Sequence, residues 1–186
     1  MIDNKLEPGS SEGVGTAAPP VQFDEYKFQR FMKQVKESQS LPLALIAGFG
    51  AAVVGAAFWA AITIITDYQI GWMAVGVGFL VGFAVRYLGK GVDKVFGFIG
   101  AGFALFGCLL GNFLAAAVII SQLEAVSVVD VLIFLVTTPV AAVELMSLTF
   151  SPIDLLFYGI AIYQGYKLAF RRVSEAELAS AMSAPV

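Results

Sequence analysis

No charged side chain occurs from position 41 to 66, from 70 to 85, or from 95 to 120. About 20 mostly apolar residues cross the hydrocarbon core of a bilayer, so three such runs predict a polytopic membrane fold. Soluble domains average roughly 25% charged residues. Here the charged share is 13%, against 59% hydrophobic and a mean hydropathy of +0.83.

Each run is threaded with small residues at steps of three or four. Ala44, Gly48, Ala51 and Gly55 mark the first; Gly71, Ala74, Gly78 and Gly82 the second; Gly97, Gly100, Ala104, Gly107, Gly111 and Ala115 the third. A fourth apolar stretch, 153–170, opens after Ser151 and Pro152 and carries Ala161, Gly165 and Ala169. Such stripes let backbones approach closely, which is how membrane helices associate where apolar burial gives no drive. The glycines expected to pack helix on helix are Gly48, Gly55, Gly71, Gly78, Gly82, Gly100, Gly107, Gly111 and Gly165. The segment 69–94 is expected to be one glycine-laced helix ending in Arg86, Lys90 and Lys94, with Arg86 snorkelling so that about 70–88 spans.

The stretch 124–150 differs. It is apolar, yet Glu124, Asp130, Pro139 and Glu144 interrupt it, and 126–136 and 140–150 are each too short to span. A pair of interfacial or re-entrant helices is expected there.

Before the first run, 1–22 is rich in Gly, Ser, Ala, Pro and acids and is expected to be disordered. No basic start followed by an apolar region marks a cleavable signal, so the first span is expected to direct insertion. From 23 to 38, Phe28, Phe31, Met32 and Val35 share a helical face while Lys27, Arg30, Lys33 and Lys36 take others, the pattern of an amphipathic helix at a membrane surface. Ser38 or Ser40 is placed to cap the next helix, with Pro42 in its first turn. The end, 173–186, reads as a short, polar, alanine-rich tail that forms a frayed helix.

Positive charges set the topology. Of the 11 Lys and Arg, Lys5, Lys27, Arg30, Lys33 and Lys36 precede the first span, Arg86, Lys90 and Lys94 follow the second, and Lys167, Arg171 and Arg172 follow the fourth. With spans at 41–66, 70–88, 95–120 and 153–170, all fall on one side, which the positive-inside rule makes cytoplasmic. A fifth span at 126–150 would put Lys167, Arg171 and Arg172 outside. The expected fold is therefore an all-α membrane protein, a compact four-helix domain over 41–172 with both termini inside. Arg86, Lys90, Lys94, Lys167, Arg171 and Arg172 are expected to anchor it at lipid headgroups.

The chemistry open to this chain is narrow. It has no histidine and one cysteine, Cys108. That removes the commonest general base and the usual zinc, haem and iron–sulfur ligands, so no metal, cofactor or catalytic residue is expected. Gly76, Gly78 and Gly82 give GxGxxxG inside an apolar helix, unlike the dinucleotide fingerprint. Gly89 and Lys90 resemble the end of a phosphate-binding loop, but Ala84 replaces its first glycine and Gly91 its Ser or Thr. Asn112 is the only strongly polar side chain of its run and is expected to face another helix, with Gln164 a second candidate for a polar interior.

The segments QIGWMAVGVGFLVGFAVR and SPIDLLFYGIAIYQGYKLAF resemble a group of uncharacterised bacterial four-helix membrane proteins, over about 41–172. The resemblance implies a bacterial plasma-membrane location and carries no activity or ligand.

These features point first to a non-enzymatic structural or accessory component of a membrane assembly. Its expected partners are lipids and other subunits or further copies of itself, with no nucleic acid. The alternative is a homo-oligomeric cation channel or small carrier lined by Thr63, Asn112 and Gln164, with Asp67, Glu124, Asp130, Glu144 and Asp154 gathering cations outside. A lipid-modifying enzyme would need Glu144 and Asp154 to pair.

Overall fold

The computed structural model describes residues 25–68 and 70–183. The expected disorder of 1–22 lies outside these residues. The described chain is all helical: α1 (Glu25–Glu37), α2 (Leu41–Thr66), α3 (Trp72–Gly89), α4 (Lys94–Leu123), α5 (Val128–Thr137), α6 (Pro139–Thr149), α7 (Pro152–Leu168) and α8 (Glu175–Ser183). Two of these, α2 and α4, are long and apolar enough to cross a membrane, and a third candidate arises if α5 and α6, bent by 113°, count as one broken crossing. The apolar helix 73–89 is shorter.

Small residues decide how the helices meet. A methyl group built on Gly78 would lie 2.5 Å from the Ala161 carbonyl oxygen, and one on Gly82 2.8 Å from Leu168 Cβ. One on Gly100 would overlap the Gly165 carbonyl. On the other side Gly48 abuts Phe103 and Val85, Gly55 abuts Val77, and Gly107 abuts Val77 and Ala52. These seams lock α2, α3, α4 and α7 around a core that includes Trp59, Val77, Val81, Val85, Phe96 and Tyr158.

The same contacts give the directions. Positions rise on α2 as they fall on α3 (Gly48 with Val85, Gly55 with Val77), and rise on α4 as they fall on α7 (Gly97 with Phe170, Asn112 with Tyr158). Positions on α3 and α7 rise together, from Gly71 against Phe157 to Gly82 against Leu168. Thus α2 and α4 point one way, α3 and α7 the other.

Three expectations change. The helix expected through 94 stops at Gly89: Lys90 takes a left-handed conformation with φ 50°, and the Phe96 ring covers Gly91 so closely that no side chain fits. Lys94 begins α4 instead of ending α3. The tail expected to be a frayed helix holds a helix of 9 residues, α8, that packs on α1. Finally, the apolar side of α1 is not left wholly to a membrane surface, since Val35 is buried and Phe28, Phe31 and Met32 are half-buried within the chain. Ser40 takes the N-cap position of α2 without a side-chain cap bond, and Ser38 donates to the Val35 carbonyl.

Candidate functional site

Polar side chains meet inside the packed helices near the end away from Lys94. Asn112 of α4 and Thr63 of α2 are fully buried, and Tyr158 of α7 nearly so. Asn112 Nδ2 donates to the Tyr158 hydroxyl at 2.9 Å, and that hydroxyl donates to the Cys108 carbonyl at 3.4 Å. Cys108 Sγ lies 3.7 Å from the Ala74 carbonyl of α3. One chain of contacts therefore runs across α7, α4 and α3. Thr63 Oγ1 donates to the Trp59 carbonyl in its own helix at 3.1 Å.

Beside them the Trp59 indole lies flat against Gly111, where a Cβ would come within 2.6 Å of the ring. Its Nε1 is the one buried side-chain nitrogen or oxygen without a partner among the described residues. The pairing of Asn112 with Tyr158 was invisible in the sequence, because it depends on the antiparallel register of α4 and α7. The signal for Trp59 was the glycine of another helix, which spacing along α2 does not reveal.

Gln164 does not join this cluster. It sits next to the Gly100 and Gly165 contact, half-buried, with its carbonyl beside Gly82. Asn112 lies about 18 Å further along α4 at 1.5 Å per residue.

At the opposite end the helix termini are tied together. Ser40 N–H donates to the Gly89 carbonyl at 2.9 Å, and Arg171 N–H to the Gly91 carbonyl at 2.8 Å. Gln39 bridges α1 to the turn before α4: its Oε1 accepts from Val92 and Asp93 N–H at 2.9 and 3.2 Å, and its Nε2 donates to Asp93 Oδ2 at 2.8 Å. Arg171 reaches Ser38 Oγ at 3.3 Å and Glu177 Oε1 at 3.0 Å. The Ser174 N–H, and after it Arg171, hold the Glu177 carboxyl below the usual carboxylate range. Lys27 Nζ donates to the Met182 carbonyl at 3.2 Å, closing α1 onto α8.

The six basic residues expected as anchors all lie at this end. Lys90, Lys94, Lys167 and Arg172 are exposed and Arg86 is half-exposed. Lys167 and Arg86 stand over the Tyr163 and Tyr87 rings. The Arg171 guanidinium is also engaged by Ser38 and Glu177. The nine packing glycines each meet a neighbour that would crowd a Cβ, whereas Gly50, Gly76, Gly102 and Gly159 meet nothing within 4 Å.

At the acidic end Asp154 accepts from the Ser151 N–H at 2.8 Å and so caps α7. Glu144 lies on the exposed side of α6 in a shallow groove with Pro139, Val140, Val143 and Ser147. Among the described residues no group of three or more His, Cys, Asp or Glu converges as a metal site would require. No protein-family model, curated protein or solved structure matches the chain.

Proposed function

We propose that α2, α3, α4 and α7 are four membrane spans, and that the protein is a non-enzymatic structural or accessory component of a larger membrane assembly. The observation that carries this is the closure of the interior. Gly78 against Ala161 and Gly100 against Gly165 bring α7 onto α3 and α4 backbone to backbone. Side chains between these helices hold one another, leaving the outward faces to meet lipid and partner subunits. Within one copy, the Asn112 amide is engaged by the Tyr158 hydroxyl, which supports a packing role for it.

The charge distribution supports the orientation. Every Lys and Arg among the described residues lies at the end where α2 begins and α7 ends. The positive-inside rule puts that end, and both termini, in the cytoplasm. The resemblance to bacterial four-helix membrane proteins makes the bacterial inner membrane the location we propose.

The test is purification from native membranes in mild detergent, with the mass and composition of the particle measured. A stoichiometric unlike subunit is the expected result. A pure homo-oligomer that passes cations in liposomes, with flux changed by Asn112→Leu, overturns the proposal in favour of a channel between copies.

A further inference from the structure

The α5–α6 pair forms a second hydrophobic cluster with α4, outside the main core. Val131 and Leu135 are buried against α4 in a small cluster with Ala117, packed by Phe113 and Ile120. The opposite side shows Val129, Val136, Val140, Val143 and Leu148, each more than 60% exposed. Water does not favour such a surface, and patches of this kind mark contact with a partner or a membrane.

Four observations point to what covers it. First, the pair begins and ends at the same end of the molecule. It follows the Leu123 end of α4 and feeds α7, which descends antiparallel to α4 with Tyr158 beside Asn112. A bent pair that returns to its starting side does not cross.

Second, its depth matches a bilayer boundary. The register of Tyr158 with Asn112 brings the start of α7 close to the level of Val118 on α4. From Lys94 to that level is about 36 Å at 1.5 Å per residue, between about 30 Å of hydrocarbon and about 40–45 Å with the headgroups. The pair packs on Ala117, between Phe113 and Ile120, close to this level.

Third, the hydroxyls of the pair turn inward on their own helices. Thr137 donates to the Ile133 carbonyl at 2.8 Å, Ser147 to Glu144 at 2.7 Å and Thr149 to Leu145 at 2.9 Å. Polar groups at the edge of hydrocarbon are satisfied in this way. Fourth, Tyr68 and Trp72 stand exposed at the same end, as aromatic residues do at an interface.

We propose that α5–α6 is an interfacial elbow sunk into the leaflet on the acidic side, its Val136, Val140, Val143 and Leu148 surface covered by lipid chains and Glu144, which shares the groove of Val140 and Val143, held at the headgroup level. It rests on the four-span orientation above. Such an element widens the footprint of the protein in one leaflet only.

The experiment uses the full chain with Cys108→Ala, reconstituted in phosphatidylcholine vesicles, and one new cysteine per variant: Ala125→Cys, Val136→Cys, Val143→Cys or Ser180→Cys. A membrane-impermeant maleimide reads water access; bimane quenching by nitroxide-labelled lipid reads contact with acyl chains. Ala125→Cys is expected to react from the side opposite Ser180→Cys. Val136→Cys and Val143→Cys are expected to react about tenfold more slowly than Ala125→Cys, as thiol access dictates, and to be quenched by the labelled lipid. Fast reaction without quenching, or slow reaction without quenching as under a protein partner, overturns the elbow. Reaction of Ala125→Cys and Ser180→Cys from one side overturns the four-span orientation instead.

Discussion

Gly100 and Gly102 are two residues apart on α4, yet a Cβ on the first would overlap the Gly165 carbonyl while one on the second meets nothing within 4 Å. Backbone at the contact cannot yield as a flexible side chain does, so Gly100→Ala is expected to destabilise by about 1–3 kcal/mol, the range of overpacking. Gly102→Ala is expected to be neutral or to stabilise by about 1 kcal/mol or less, since it raises helix propensity. Thermal unfolding in detergent, run on both, checks the pair; equal effects would mean that the seam yields. Asn112→Leu removes the donor to Tyr158 and is expected to cost about 1 kcal/mol, typical of a hydrogen bond between membrane helices. Tyr158→Phe tests the same contact from α7, and a double-mutant cycle close to additive would count against it. Ala125 has φ 51°, a region that disfavours an L side chain. Ala125→Gly is therefore expected to raise the melting temperature.

Among elements, α1 and α8 form a pair that neither would make alone. The hydrophobic residues of α1 follow a helical period, and that much is local. The helix packed on it, α8, lies more than a hundred residues later in the chain and is joined to it by Lys27 to Met182, while Arg171 ties Glu177 of α8 to Ser38 after α1. Glu177 is held below its ordinary pKa, so its contribution is present above the unfolded value and lost as pH falls through the folded one. Docking of α8 is thus expected to persist at neutral pH and to loosen below about pH 4, where carboxylates protonate. Hydrogen exchange over 175–183 as pH is lowered would reveal it, provided that 41–66 stays protected. Glu177→Gln should loosen α8 at neutral pH and remove the dependence; an unchanged profile would exclude Glu177 as the cause.

At the scale of the whole molecule, the separation of charge is the consequence of alternating helix directions. Arg86 near the end of α3, Lys94 at the start of α4 and Lys167 near the end of α7 come from distant parts of the chain and reach one end. A fluorescent protein that matures only in the cytoplasm, fused after Val186, is expected to be bright; a dark fusion with normal expression would reverse the orientation. Exporting one helix pair by adding lysines at Asp67 and Gln122, which are joined at 2.8 Å across the acidic end, is expected to lower yield through a conflict of orientation signals.

The long apolar runs determined α2 and α4 almost to the residue, because length and lack of charge are local properties and a bilayer selects on both. The pair of helices in 124–150 was legible for the same reason, since Pro139 lacks an N–H and turns Thr138 before it away from the helical region. The small-residue stripes announced close packing but not which neighbour each glycine meets. Only the tertiary structure decided that Asn112 faces Tyr158, that Trp59 rests on Gly111, that Lys90 ends a helix in a left-handed turn, and that α8 closes onto α1. Each of these depends on the register and direction of helices distant in sequence, which backbone contacts in three dimensions fix and periodicity along the chain does not.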